Sequence, residues 1–231
     1  MSKSGKRMKA YAVQEDCEGT GGIVFAKHAI VARREGANEY NGGEFHGVTC
    51  RRAKWADEFA ETGIVPASVM IANGWWFECS YCGQKIDEDS LYDRRLPISG
   101  VVGSQHSLIF CCKSHALKHR LEDAQRKRAE AEGIKLFSEM VLKRLPDAKL
   151  LVEPQNLRPH AYVRGHLGGP WVYSQIIISF TFPGMKIGPA SLRYEADYGV
   201  RIGPCRPTFS CCNGDREAFE AFAEAQKMAA P

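Results

Sequence analysis

The sequence predicts an α+β fold in three parts. A small N-terminal α+β module is held by a metal site, a long helix connects it onward, and a C-terminal antiparallel sheet is covered by helices. Three observations carry this. First, Cys79-Ser-Tyr-Cys82-Gly is answered, after a long insert, by Phe110-Cys111-Cys112-Lys-Ser-His115-Ala-Leu-Lys-His119, thiols and imidazoles at zinc-ligand spacing. Second, apolar residues recur at a helical period between Cys112 and Pro146. Third, the chain after Pro146 turns to β-branched and aromatic runs, the densest being Val172-Tyr-Ser-Gln-Ile-Ile-Ile-Ser-Phe-Thr-Phe182.

The totals set bounds. With 44% hydrophobic and 10% aromatic residues in 231, the chain can bury a core. Lysine and arginine (31) nearly balance aspartate and glutamate (27), so the net charge of +4 permits nucleic-acid binding without implying it. No apolar run reaches the ~18 residues of a membrane span. The basic N-terminus leads into a β-like segment, not the apolar core of a signal peptide, so a cytoplasmic protein is expected. In that compartment the nine cysteines read as metal ligands and buried thiols. The doublets Cys111-Cys112 and Cys211-Cys212 agree, because neighbouring cysteines rarely satisfy disulfide geometry.

Residues 1–8 read as a flexible leader. Two β-rich runs, 9–13 and 22–26, flank a glycine-rich turn and predict a hairpin. Residues 27–36 predict a short helix, 38–43 a loop, 44–52 a third strand, and 55–61 a helical turn ended by Gly63. Asn73-Gly74 predicts a tight turn, and Trp75, Trp76 and Phe77 an apolar strand entering the cysteine site. The insert before Cys111 is polar at Asp87-Glu-Asp-Ser90 and interrupted by Pro97, Gly100 and Gly103. It predicts mostly loop, with 107–110 as the strand that delivers Cys111. The following helix carries Leu117, Leu121 and Ala124 on one stripe, then Ile134, Phe137 and Val141 on a second, with a kink or break expected at Gly133. Strands follow at 149–152, 161–164, 172–182, 191–195 and 208–211, and then a helix at 216–227 with Asp215 as N-cap. The expected boundaries are a leader at 1–8, the zinc-bearing module at 9–120, the connecting helix at 121–145 and the C-terminal domain at 146–231.

Zinc takes four thiolate or imidazole ligands in a tetrahedron. The turn between Cys79 and Cys82 points both sulfurs one way, and Gly83 lets the backbone curl behind them. Cys111 and His115 stand at i and i+4, one helical turn apart on a shared face. Cys79, Cys82, Cys111 and His115 are therefore the expected ligands of one structural Zn2+. Cys112 with His115, or Cys112 with His119, are alternative second pairs. Four protein ligands leave no open coordination position, and the His-Glu signatures of zinc hydrolases and deaminases are absent from the sequence.

Phe110-Cys111-Cys112-Lys113-Ser114-His115 resembles the Phe-Cys-Ser-x-x-Cys signature of FCS-type and TRASH-like treble-clef zinc fingers, with His115 in the place of the last cysteine and Cys112 in the place of serine. The resemblance covers about residues 75–120 and implies a treble clef. Residues 9–82 are more loosely similar to accessory proteins of tailed bacteriophages. That likeness lies in the Ile-Val-Phe-Ala run at 23–26, Ala-Arg-Arg at 32–34, Arg-Arg-Ala-x-Trp at 51–55 and Gly-Trp-Trp-Phe-x-Cys at 74–79. It implies a phage or prophage product acting in the host cytoplasm, and no established activity.

Two other groups stand out. Cys205, Cys211 and Cys212, in the half that also holds His160 and His166, suggest a second metal site, against which stands the simpler reading of buried strand thiols. Lys113, Lys118, Arg126, Lys127 and Arg128 on the helix after the zinc motif, with Arg33, Arg34, Arg51, Arg52 and Lys54, suggest a basic face for nucleic acid. The competing reading is a solvated helix whose charges pair locally. Trp55, Trp75 and Trp76 read as core, with base stacking as the alternative. The functional expectation is a non-enzymatic, zinc-stabilised binding or adaptor protein with a protein partner. A nucleic-acid-binding protein is the first alternative. An enzyme with a dispersed site in the C-terminal domain is the second.

Overall fold

The computed structural model describes residues 8–17, 19–152, 158–196 and 206–229. All of the expected leader except Met8 lies outside the described residues. The fold mixes α and β elements, with antiparallel sheets and one long helix. The chain divides into two compact units, Met1–His119 and Arg120–Pro231.

In the first unit, β1 (Lys9–Glu15) and β2 (Gly21–Ala26) form the predicted hairpin, and β3 (Val48–Arg52) pairs antiparallel with the other edge of β1. Strand alternation sorts the side chains. Tyr11, Val13, Val24 and Val48 meet the small buried face of α1 (Ala29–Tyr40), while Ala10 and Ile23 on the opposite face pack with Ala53, Ala56, Val65 and Met70. Helix α1 takes in residues 38–40, where the sequence predicts loop. The predicted strand 44–52 starts only at Val48, because Asn41 Nδ2 donates to the carbonyls of Glu44 (2.9 Å) and His46 (3.0 Å) and holds that stretch as a turn. The Trp55 region forms a 3-10 turn at Lys54–Phe59. A short helix, α2 (Ala67–Ile71), follows where no element was expected.

The Trp-Trp-Phe run is only partly strand. β4 is Phe77–Glu78, paired with β5 (Lys85–Ile86) around the cysteine turn. The acidic stretch predicted as loop is helix α3 (Glu88–Asp93). Its physical reason is a reciprocal cap: Ser90 N–H donates to Asp87 Oδ1 (2.8 Å) and Asp87 N–H donates to Ser90 Oγ (3.1 Å). Residues 107–110 do not form the predicted strand. One bridge, between Val102 and Phe110, delivers Cys111 instead.

Helix α4 (Lys113–Arg144) runs 32 residues without the break expected at Gly133. Glycine there is required by packing, since a Cβ would stand 2.6 Å from Tyr173 Cε1. The close approach offsets the ~1 kcal/mol that glycine costs a helix. The helix's two stripes differ: Leu117 and Leu121 are exposed, whereas Phe137, Val141 and Leu145 are buried.

The second unit holds β6 (Lys149–Leu150), β7 (His160–Arg164), β8 (Val172–Thr181), β9 (Ala190–Glu195) and β10 (Thr208–Ser210), all antiparallel, close to the predicted strands. β9 pairs one edge of β8, and β7 and β6 share the other, with a bulge at Tyr162/Val163. Helix α5 (Arg216–Ala229) lays Phe219 and Phe222 on Phe182, with ring centroids 5.2 and 5.7 Å away. Asp215 does not serve as the simple cap expected. Its buried carboxylate accepts from the backbone N–H groups of Lys186 (2.8 Å), Ile187 (2.8 Å) and Gly188 (3.0 Å).

Candidate metal centre

The cysteine turn sits at the tip of the β4–β5 hairpin. Cys79 N–H donates to Gln84 O (2.9 Å) and Gly83 N–H to Cys79 O (2.8 Å), which closes the turn. Gly83 has φ +68°, a conformation that glycine adopts without strain, so the sequence reading of this position holds. Ser80 ties the turn to the segment before Cys111 from both sides. Its N–H donates to Ile109 O (2.8 Å), and its Oγ accepts from Ile109 N–H (3.2 Å). Cys112 O accepts the first helical bond of α4 from Ala116 N–H (3.2 Å), so Cys111 lies just before the helix and His115 one turn along it.

These elements bring the donor atoms of Cys79, Cys82, Cys111 and His115 within 4.8 Å of one another. His115 Nδ1 lies 3.1 Å from Cys111 Sγ and 3.6 Å from Cys79 Sγ. The edges of a tetrahedron around zinc, taken from its usual bond lengths, are ~3.4–3.8 Å; the 3.6 Å separation matches them, the 3.1 Å one is shorter, and the four donors are close enough to hold a metal ion. Cys79 and Cys111 are buried, and Cys82 and His115 are partly exposed. Ile86, Leu91, Ile109, Phe110 and Ala116 form the apolar surround. Cys112 and His119 lie outside the cluster. Cys112 packs at the margin of that apolar surround, and the His119 ring sits 5.1 Å from Phe110.

Burial alone would raise the Cys79 thiol. The backbone N–H groups of Cys111, Cys82 and Tyr81, together with His115, outweigh it and bring Cys79 down to about 6. Burial and the neighbouring Cys79 sulfur push Cys111 up to about 12. One thiolate is thus favoured beside a second thiol that holds its proton. Sequence reasoning missed two supports. The Cys111 N–H points at Cys79 Sγ (3.5 Å), and the Tyr81 ring packs on His115 with centroids 5.0 Å apart. A tyrosine between the two cysteines was the visible signal for the second.

Among the described residues this is the one group of such donors found close together. Cys205 lies outside the described residues. Cys211 packs against the C-terminal core, and Cys212 Sγ donates to Asp215 Oδ2 (3.1 Å). Burial raises the Cys211 thiol, with Cys212 adding to it.

The predicted basic residues are spread along α4. Lys113 and Lys118 are exposed on its first turns. Arg126 pairs with Asp123 and with Glu130 (2.7 Å), Lys127 with Asp123 (2.8 Å), and Arg128 with Glu132 (2.9 Å). Arg52 pairs with Asp57, and Arg33 Nε donates to Val48 O (2.7 Å). In the C-terminal sheet, a shallow groove of about 600 Å3 is lined by Tyr162, Arg164, Gln175 and Glu195, where Gln175 Nε2 donates to Glu195 (3.0 Å).

Among the described residues no helix is long and apolar enough to cross a membrane. Comparisons with family models, with curated proteins and with solved structures found no match.

Proposed function

We propose that the chain is a non-catalytic binding or adaptor protein whose N-terminal unit is stapled by one zinc ion in a treble-clef-like site. The observation that carries this is the closed set of four donors, Cys79, Cys82, Cys111 and His115, converging within 4.8 Å. Three sulfurs and one imidazole suit zinc and disfavour magnesium or calcium, which take oxygen ligands. Cys79 and Cys82 come from a hairpin turn, and Cys111 and His115 from the start of a helix, as in the treble clef that the sequence resembles. Four protein ligands leave no position for a substrate or an activated water, so the metal's role is to cross-link the fold. The assignment to a phage accessory role, with a host protein as partner, rests on the sequence resemblance alone.

Elemental analysis of the purified chain tests the staple. One zinc per chain is expected, reduced to background in Cys79→Ser/Cys82→Ser and unchanged in Cys112→Ser. Less than about half an equivalent, or full loading of the double variant, sinks the reading.

A further inference from the structure

The metal centre leaves one large feature of the first unit unused, a cleft of about 600 Å3 on the sheet face opposite α1. Its floor follows from register. Ala12 stands opposite Arg51, and Gln14 opposite Thr49 and Gly21, so these residues share a face. Ala12 and Gly21 put little bulk there, and the cleft opens where the apolar packing of Ala10 and Ile23 stops. Its wall is the segment before β4. Asn73 Nδ2 donates to Val69 O (2.9 Å) and Trp75 N–H to Met70 O (3.1 Å), and these bonds fix the turn that sets Trp75 and Trp76 along the cleft.

Three properties of the lining belong together. Trp76 is 52% exposed, unusual for the largest apolar side chain, and the ammonium of Lys85 lies 5.5 Å from its ring centroid. Arg51 is exposed and has no ion pair among the described residues, unlike Arg52, Arg126, Lys127 and Arg128. Gln14, Thr49 and Asn73 add amide and hydroxyl groups that donate to the backbone carbonyls of Gly19, Gln14 and Val69, and among the described residues no carboxylate lines the cleft. A half-exposed indole, a guanidinium without an ion pair among the described residues, and a β-sheet floor with amide and hydroxyl groups match the chemistry of a nucleotide unit. A base fits the aromatic wall by stacking, and a phosphate fits the cation. The volume of about 600 Å3 lies within the range of small-ligand sites.

We infer that this cleft binds one nucleotide unit of single-stranded nucleic acid, with Trp76 as the stacking platform and Arg51 as the phosphate contact. The inference goes beyond the zinc staple and rests on residues other than the basic ones of α4.

The test is a titration of the full metal-loaded chain with an eight-residue oligouridylate at low salt, read by tryptophan fluorescence and by anisotropy of a labelled strand. Quenching with saturable binding is expected, weakened about tenfold or more in Trp76→Ala and in Arg51→Ala. An Arg126→Gln/Lys127→Gln/Arg128→Gln variant should bind like the unchanged chain. Both cleft side chains are exposed, and metal content together with far-ultraviolet circular dichroism verifies that their variants fold. Absence of binding overturns the inference, as does binding unaltered by both cleft variants. Uridine monophosphate binding as tightly as the oligomer would make the cleft a mononucleotide pocket and also overturn it. Failure here leaves zinc content untouched, so it is distinguishable from failure of the staple.

Discussion

The two units solve the same problem of stability differently. The first divides its buried apolar residues into three separate clusters built largely from alanine, valine and isoleucine. The second gathers Phe137, Phe180, Phe182 and Phe222 with Ile176, Ile178 and Leu192 into one. Burial stabilises by about 0.8 kcal/mol per methylene, so large side chains in one cluster supply what many small ones in three do not. The cysteine cluster lies inside the most loop-rich of the three, among two-residue strands and short helices. The four metal-ligand side chains thus gather where the secondary structure is too short to bury a continuous face, which is where the proposed cross-link would substitute for core volume.

The strongest way to break this comparison is to remove the staple. Structural zinc contributes roughly 10–16 kcal/mol in small finger peptides, comparable with the whole stability of a domain. Chelation of the full chain should abolish hydrogen-exchange protection in β4, β5, α3 and the first turn of α4, while β8 and β9 keep theirs. Equal loss in both units, or none in the first, would show that the division is not one of staple against core.

A second prediction acts on the other side. Phe180 is fully buried, and its ring meets Phe209 and Phe219 at 6.0 and 6.2 Å. Phe180→Ala should cost about 3–5 kcal/mol through lost burial and a cavity. Exchange protection should fall in the second unit, with metal content unchanged. A loss below ~1 kcal/mol by denaturant unfolding would mean that the aromatic cluster is not what holds the sheet.

The same contrast explains what the sequence reveals. The C-terminal strands are legible because a sheet covered on one face leaves a dense β-branched and aromatic signature, as in β8. The cysteine spacing is legible because metal geometry constrains which residues stand at which intervals. The elements around the cysteine cluster are harder to read, since two-residue strands and short helices are too brief to show a period. α3 looks like a polar loop until Asp87 and Ser90 are recognised as a reciprocal cap, a signal three residues wide. Gly133 reads as a helix breaker, because the reason for it is Tyr173, forty positions away. The cleft of the first unit is invisible in one dimension. Tryptophans in a small domain read as core, and only the β1–β3 register places Arg51 and Gln14 beside Trp75 and Trp76.

The smallest expected effect concerns Asp215, whose carboxylate anchors the turn before β9 to the start of α5 within the second unit. The N–H of Gly188 is the main influence. Working against burial, and together with the Cys212 thiol and the N–H groups of Ile187 and Lys186, it holds the carboxyl down to about 2. An unfolded aspartate titrates near ~3.9. The folded state therefore binds the proton more weakly than the unfolded chain. Its stabilising contribution is complete above the unfolded value and disappears as pH falls through the range from about 4 to about 2. Asp215→Asn removes this dependence and leaves an amide nitrogen facing backbone donors. The variant should be less stable than the unchanged chain at neutral pH, and its unfolding midpoint should vary less between pH 5 and pH 2. Parallel acid dependence of the two proteins in chemical denaturation would show that the carboxyl has the same proton affinity in the folded and unfolded chain. The turn would then be held by its backbone alone.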